Sequence, residues 1–450
     1  MKNYWRFGFV FAFVGALVLY VSLGKKTDVP NYPFFLGGIQ VNEPDQQQWV
    51  NTLDAVGMNT VSVTVYAKQG DWNSDHLWFE KEEPGVIAEI KAAKAKGLKV
   101  ILILRVALDH AYEKNKFLWH GMIMPEADEP LDYWFKIYTA FTVKWAKIAQ
   151  AEGVDVLAIG SEMRQLTATR QVDETPTLIK FYSDSAKIRW HREMTLQHQT
   201  TIEAKSLWVR GHSNYEDIEA YLRDKAQTKE KWANTVGYLQ HPNALEQLNQ
   251  RKSRLRQHWS SLIRTTRQHY KGPLTYAANF DNYQNIDFWD QLDFIGINAY
   301  FPLRQFGDTT TTELGAQLDA GWKSIYADIN LLRERDTLDS KPVIFTELGY
   351  LFREETTFAP WSGFGFNVLG DLDTNKLLVW NEQAINYEER AMAMASLYRT
   401  HVQQPDVLRG ILYWKLSTVK QHSEIEPFML HVGKDSEDPL QSELAKFGRD

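Results

Sequence analysis

The sequence predicts an α/β chain folded as a (β/α)8 TIM barrel, and three observations predict it. Eight short apolar runs are spread along the chain, with segments of helical periodicity between most of them. The runs are nearly continuous in Val, Ile, Leu and Phe, which fits parallel strands covered on both faces. The competing architecture, an open doubly wound sheet, usually places a glycine-rich phosphate loop after its first strand. Here Leu36-Gly-Gly-Ile-Gln40 lacks that spacing and the helix start that should follow.

The elements follow in order. Phe34 to Val41 is the first strand. Gln46 to Val56 is a helix with Trp49, Leu53 and Val56 on one face, ended by Gly57. Thr60 to Tyr66 is strand two. Pro84 to Lys96 is a helix with Pro in its first turn, Val86, Ile87 and Ile90 inward, and Gly97 as the stop. Lys99 to Ala107 is strand three. Leu131, Trp134, Tyr138, Phe141, Trp145 and Ile148 recur at helical spacing within Leu131 to Ala151. Strand four runs from Val154 to Glu162. Leu274 to Ala278 and Phe294 to Asn298 are strands five and six. Strand seven begins at Val343 and ends at Glu347. Tyr387 to Val402 is a helix with Met394, Leu397 and Tyr398 on one face, and Ile411 to Leu416 is strand eight.

One connection is far longer than a single helix needs. Between strands four and five, Thr175 to Arg192 and Ser253 to His269 read as helices. Residues 193–251 between them form a polar insertion carrying Trp208, Trp232 and Tyr238, helical in part around Tyr215 to Lys225. It reads as a solvated decoration or as a lid or partner surface. A second long connection, Phe352 to Asn381, carries Phe358, Trp361, Phe364 and Phe366. It leaves strand seven on the face where barrel enzymes keep their active sites, so it either lines the cleft or packs beside it.

The first 24 residues read differently. Lys2 and Arg6 precede Phe7 to Leu23, a run without charge, close to the lower length limit for a spanning helix. The expectation for 1–24 is an N-terminal membrane helix acting as a signal anchor, or a signal peptide removed by cleavage. Residues 25–33 are a linker, and 34–450 the barrel domain. The barrel is then extracytoplasmic (periplasmic or extracellular), held at the membrane or secreted. Net charge is −7, so bulk electrostatics favour no nucleic-acid partner. There is no cysteine, hence no disulfide, thiol nucleophile or zinc–thiolate site. His110 and His120 stand isolated, and Asp71, Asp75 and His76 lack metal-ligand spacing, so no metal or other cofactor is expected. The 16 Trp, 20 Tyr and 23 Phe suit stacking on sugar rings as well as core packing. Nothing in the chain speaks to oligomeric state.

Two strands end in a glutamate, Glu162 on the fourth and Glu347 on the seventh. Burying a carboxylate at a strand end is costly unless it is paired or used. In a barrel all strand C-termini point to one face, and strands four and seven lie across from each other, so the two side chains can converge over the mouth. Two carboxyls about 5 Å apart, one protonated and one ionised, are the arrangement of retaining glycoside hydrolysis. The plain alternative is two structural carboxylates paired with Arg or Lys. Arg105 on strand three is a buried charge that needs a partner and can pair with a site carboxylate.

Ala158-Ile-Gly-Ser-Glu-Met-Arg164, Leu274-Thr-Tyr-Ala-Ala-Asn279, Phe294-Ile-Gly-Ile-Asn-Ala-Tyr300, Val343-Ile-Phe-Thr-Glu-Leu-Gly-Tyr350 and Gly410-Ile-Leu-Tyr-Trp-Lys415 together resemble glycoside hydrolase family 113. The resemblance extends to its β-mannanase-like and gene-transfer-agent barrel-like relatives. It runs from about Phe35 to Lys415 without the insertion. It implies Glu162 as acid/base, Glu347 as nucleophile, Tyr300 as a phenol against the nucleophile, and Trp414 as the floor of the sugar site. Asn279 and Asn298 are candidates for binding sugar hydroxyls, and Tyr66 and Trp72 are further cleft candidates. Much of the wider clan has asparagine just before the acid/base, where this chain has Ser161. Two functions stand: a retaining glycoside hydrolase on a β-linked, mannan-like polysaccharide or oligosaccharide, or a catalytically inactive glycan-binding or polysaccharide-assembly scaffold. A matched pair of carboxyls favours the enzyme, because binding alone does not need one.

Overall fold

In the computed structural model, residues 32–79, 83–115, 118–125, 128–167, 227, 242–304, 313–358, 360, 368–371, 376–379 and 384–449 are described. The barrel closes. Its strands are β1 (Phe35–Gln40), β2 (Thr60–Gln69), β3 (Lys99–Leu108), β4 (Val156–Ser161), β5 (Leu274–Asn279), β6 (Ile295–Asn298), β7 (Val343–Leu348) and β8 (Leu408–Ser417). Each pairs in parallel with the next, and β8 returns to pair with β1. The seam needs a glycine: a Cβ on Gly37 would lie 1.7 Å from the Thr60 carbonyl oxygen.

The helices that cover the barrel are α1 (Gln46–Ala55), α2 (Glu83–Ala95), α3 (Asp128–Glu152), α4 (Ala244–His269), α5 (Leu314–Arg335) and α6 (Glu388–Gln403). Asp45 caps α1, its side chain accepting from the backbone N–H of Gln47 at 2.9 Å and Gln48 at 3.0 Å. The helix α5 is an addition to the sequence reading, which assigns nothing there, although Leu318, Trp322, Ile325, Ile329 and Leu332 recur at helical spacing and are buried. The helix α4 begins at Ala244, ahead of the expected Ser253, so the last turns of the expected insertion belong to a barrel helix. Residues 193–226 and 228–241 of that insertion, the expected helix at 175–192, and Trp361, Phe364 and Phe366 lie outside the described residues, as does segment 1–24. Among the described residues no helix is long and apolar enough to cross a membrane.

Two layers of core follow from strand alternation. Phe35, Ile101, Ile103, Val156, Ala158, Ala277, Ile344 and Leu412 form a small cluster contributed by six strands, the filled interior of the barrel. The alternate residues join the larger core between strands and helices, with Trp134, Trp145, Trp259 and Trp322 fully buried there. Period two along β3 puts Arg105 on the face of Ile101 and Ile103, one step further toward the mouth. The same count on β8 puts Trp414 above Leu412.

Candidate active site

Strand alternation alone would place Glu347 away from the interior, because Ile344 and Thr346 share one face. The pairing of β7 with β6 corrects this. Ile297 pairs with Phe345 and Asn298 with Glu347, so β7 carries one extra residue at Thr346. Such a bulge re-aims the side chain that follows it. Glu347 turns to the mouth, 2% exposed. The register of β4 with β5 also shifts between Ala158 and Ser161. Glu162 follows with φ +54°, a left-handed conformation uncommon for a non-glycine residue. Its N–H remains bonded to the Ala277 carbonyl at 2.9 Å, so the chain turns while still tied to β5.

Arg105 joins the two carboxyls. Its Nη2 donates to Glu347 Oε1 in a very short contact and lies 3.8 Å from Glu162 Oε2. One nitrogen reaching both oxygens puts them within about 7 Å of each other, taking an ordinary hydrogen-bond length for the first contact. The guanidinium also donates to Ser161 Oγ, from Nε at 3.2 Å and Nη2 at 2.9 Å. Tyr300 donates its hydroxyl to Glu347 Oε2 at 2.9 Å. On the far side of Glu162, the His120 Nε2 is 2.8 Å from Oε2.

Electrostatics divide the pair. Burial pushes the Glu347 carboxyl up to about 7; Arg105 opposes this, and the Glu162 charge adds to it. Burial also pushes Glu162 up, but the hydrogen bond to His120 and the charge of Arg105 prevail and hold it at about 2. Between those limits the pair carries one proton, the condition for one acid and one carboxylate. Burial pulls the Arg105 guanidinium down, yet the charges of Glu347 and Glu162 outweigh it and keep it above its ordinary value. Burial and the Glu347 charge raise the Tyr300 phenol well above its usual range, so it stays a donor.

The remaining expected residues fall into two groups. Trp414 is half-buried at the mouth, with the Arg105 guanidinium 5.5 Å and the Lys415 ammonium 4.4 Å from its ring centroid. Tyr66 pairs in register with Arg105 and adds to its electrostatic environment. Three further candidates are buried, as the two glutamates are. Asn298 is fully buried: its amide nitrogen is 3.4 Å from Ser161 Oγ, and its Oδ1 accepts from Thr346 at 2.8 Å. Its side chain also contributes a hydrogen bond that helps hold the Glu162 carboxyl down. Asn279 is 9% exposed, with Oδ1 accepting from the Phe280 N–H at 2.9 Å, a strand-end turn. Trp72 is 3% exposed and belongs to the main core.

Sequence reasoning gave no role to two participants. Ser161 is fully buried, and its hydroxyl is where Arg105 and Asn298 meet. His120, treated as isolated, touches Glu162. Its position on the loop after a barrel strand was the available signal, since that face carries barrel active sites. Among the described residues no group of three or more His, Asp or Glu is placed to hold a metal ion.

Comparison with known proteins agrees with this fold. The model of Glycoside Hydrolase Family 113 matches residues 37–182 and 243–396. The unmatched stretch between them overlaps most of the expected insertion. Among solved structures, a family 113 β-1,4-mannanase shares 17% identity at a TM-score of 0.56, covering 93% of this chain and 100% of its own. The family 113 β-mannanase of Alicyclobacillus acidocaldarius in complex with ManMIm shares 15% at a TM-score of 0.54, covering 93% and 98%. These likenesses establish the shared fold. No curated protein matches the chain.

Proposed function

Because this chain belongs to glycoside hydrolase family 113, we propose that it cleaves a β-linked polysaccharide or oligosaccharide by double displacement, with Glu347 as nucleophile and Glu162 as acid/base. The observation that carries the reading is the single Arg105 nitrogen in reach of both carboxyls at the barrel mouth. A ceiling of about 7 Å between the nearest oxygens is compatible with the roughly 5–5.5 Å of a retaining pair and lies below most of the inverting range, about 6.5–9.5 Å. The family 113 structures sharing the fold are β-1,4-mannanases, which supports a β-mannan as the first substrate to test.

In the first step a Glu347 oxygen bonds to the anomeric carbon as the glycosidic C–O bond breaks. The Glu162 proton passes to the departing oxygen. In the second, Glu162 takes a proton from water, whose oxygen bonds to the anomeric carbon and releases Glu347. The resting pair already holds the one proton this needs. Positive charge building at the anomeric carbon favours ionised Glu347, and the leaving oxygen draws the proton to the Glu162 side. Arg105 and Tyr300 then stabilise the Glu347 carboxylate with two donors. The half-buried ring of Trp414 supports the sugar.

The apolar run Phe7 to Leu23 supports an extracytoplasmic catalytic domain, anchored by that segment or released by its cleavage. The test of the activity is release of reducing ends from β-mannan, β-glucan and other β-linked polysaccharides by purified protein. Proton NMR of the first product should show the β anomer. Glu162→Gln and Glu347→Ala should each abolish release while the fold persists. A wild-type protein that binds these glycans and frees no reducing ends would instead be a glycan-binding scaffold.

A further inference from the structure

His120 lies outside every motif of the family resemblance, yet the fold spends several contacts on placing it. It opens a short 3-10 turn, His120–Met122, after β3. The turn is anchored on both sides. Leu118, Ile123 and Met124 are buried in the core, and the Met124 N–H donates to the Trp72 carbonyl at 2.9 Å. The Trp72 N–H in turn donates to Asn115 Oδ1 at 2.9 Å, whose amide holds the Gly70 and Asp109 carbonyls. This is the structural use of Trp72. The Trp119 ring folds over Gly121, where a Cβ would lie 2.3 Å from it, and meets the imidazole edge-on at 5.1 Å. A ring held this way is pre-aimed at its partner.

Its partner is Glu162, at 2.8 Å from Nε2. The imidazole side chain is 22% exposed and that of Glu162 10%, so the ring is the more solvent-accessible of the two. Among the described residues the charged groups around it are Glu162, Arg105 across Glu162, and Arg164, which lies 5.6 Å from the Trp119 ring and 3.2 Å from Asp281. Neutral imidazole can accept the Glu162 O–H through Nε2, and imidazolium can donate to its carboxylate. The two half-reactions require Glu162 in each of those forms.

Resting on the glycosidase reading above, we propose that His120 is the positioning residue of the acid/base: it aims Glu162 Oε2 at the leaving oxygen and keeps a hydrogen bond to it as Glu162 releases and regains its proton. This role acts on leaving-group protonation and leaves attack by Glu347 alone.

Aryl β-glycosides of mannobiose with phenol or 2,4-dinitrophenol as leaving group separate the two. Phenol needs a proton to depart; dinitrophenol does not. In His120→Phe, kcat/KM for the phenyl substrate should fall about 100-fold, the lower end of what a positioned proton donor contributes. The dinitrophenyl substrate should change by less than about threefold on the same argument. His120→Gln, which keeps a hydrogen-bonding amide, should recover part of the phenyl rate, and the pH profile for that substrate should shift in both variants. Equal losses on both substrates with an unchanged profile would reduce His120 to a structural role and overturn the proposal. A wild-type enzyme that cleaves neither aryl substrate nor any polysaccharide would overturn the glycosidase reading and this inference with it.

Discussion

Replacing Glu347 by glutamine should make the protein more stable while destroying its activity. Glu347 is 2% exposed, and burial lifts its carboxyl from the ordinary 4.5 to about 7. Each pKa step is worth about 1.4 kcal/mol, so keeping this group ionised in the folded chain at pH 8 costs about 3 kcal/mol relative to its neutral form. The sign follows from proton uptake. Between pH 4.5 and 7 the folded chain binds more protons at this site than the unfolded chain, so stability falls as pH rises through that window. Glutamine stays neutral throughout. Its carbonyl can still accept from Arg105 and its amide can pair with the Tyr300 oxygen. Denaturant titrations at pH 4.5, 6 and 8 should find the two proteins alike at the lowest pH. The variant should be ahead by about 3 kcal/mol at the highest. A variant less stable than wild type at pH 8 would refute the reasoning, because Arg105 and Tyr300 would then outweigh burial and hold the carboxylate ionised.

The pH dependence of kcat/KM should be a bell whose limbs belong to the coupled pair, one near 2 and one near 7. Activity falls above the upper limb as the pair loses its only proton; an alkaline limb two pH units away would contradict this. Tyr300→Phe removes a charge-assisted bond to Glu347, worth about 1.5–3 kcal/mol. Steady-state kinetics should show kcat down about 10- to 100-fold with KM little changed. The same variant should move the alkaline limb upward. Gly37→Ala sets a Cβ against the Thr60 carbonyl at the β1–β2 seam and should cost about 3 kcal/mol or more, read as a lowered denaturation midpoint.

Much of this architecture was legible because parallel barrel strands are buried on both faces and announce themselves as apolar runs. The eight strands and the tips at Glu162 and Glu347 could be read from that pattern, and Arg105 from the cost of an unpaired buried charge. The side-chain directions could not. Whether Glu347 faces the mouth depends on a bulge at Thr346, which is a property of the pairing between β6 and β7 rather than of either strand. The same limit applies to Asn298 and Trp72, whose burial depends on how their segments pack. His120 was hidden for a different reason. Its partner is 42 residues away, and only the folded turn brings the imidazole to Glu162.

The central claim is that Glu347 forms a covalent bond to the sugar. Incubation with a 2-deoxy-2-fluoro mannosyl or mannobiosyl fluoride, followed by peptide mass spectrometry, tests it directly. A stoichiometric adduct is expected on Glu347; it disappears in Glu347→Gln and persists in Glu162→Gln, which lacks the base that hydrolyses it. Turnover of polysaccharide with no adduct, or an adduct on any other residue, would contradict it.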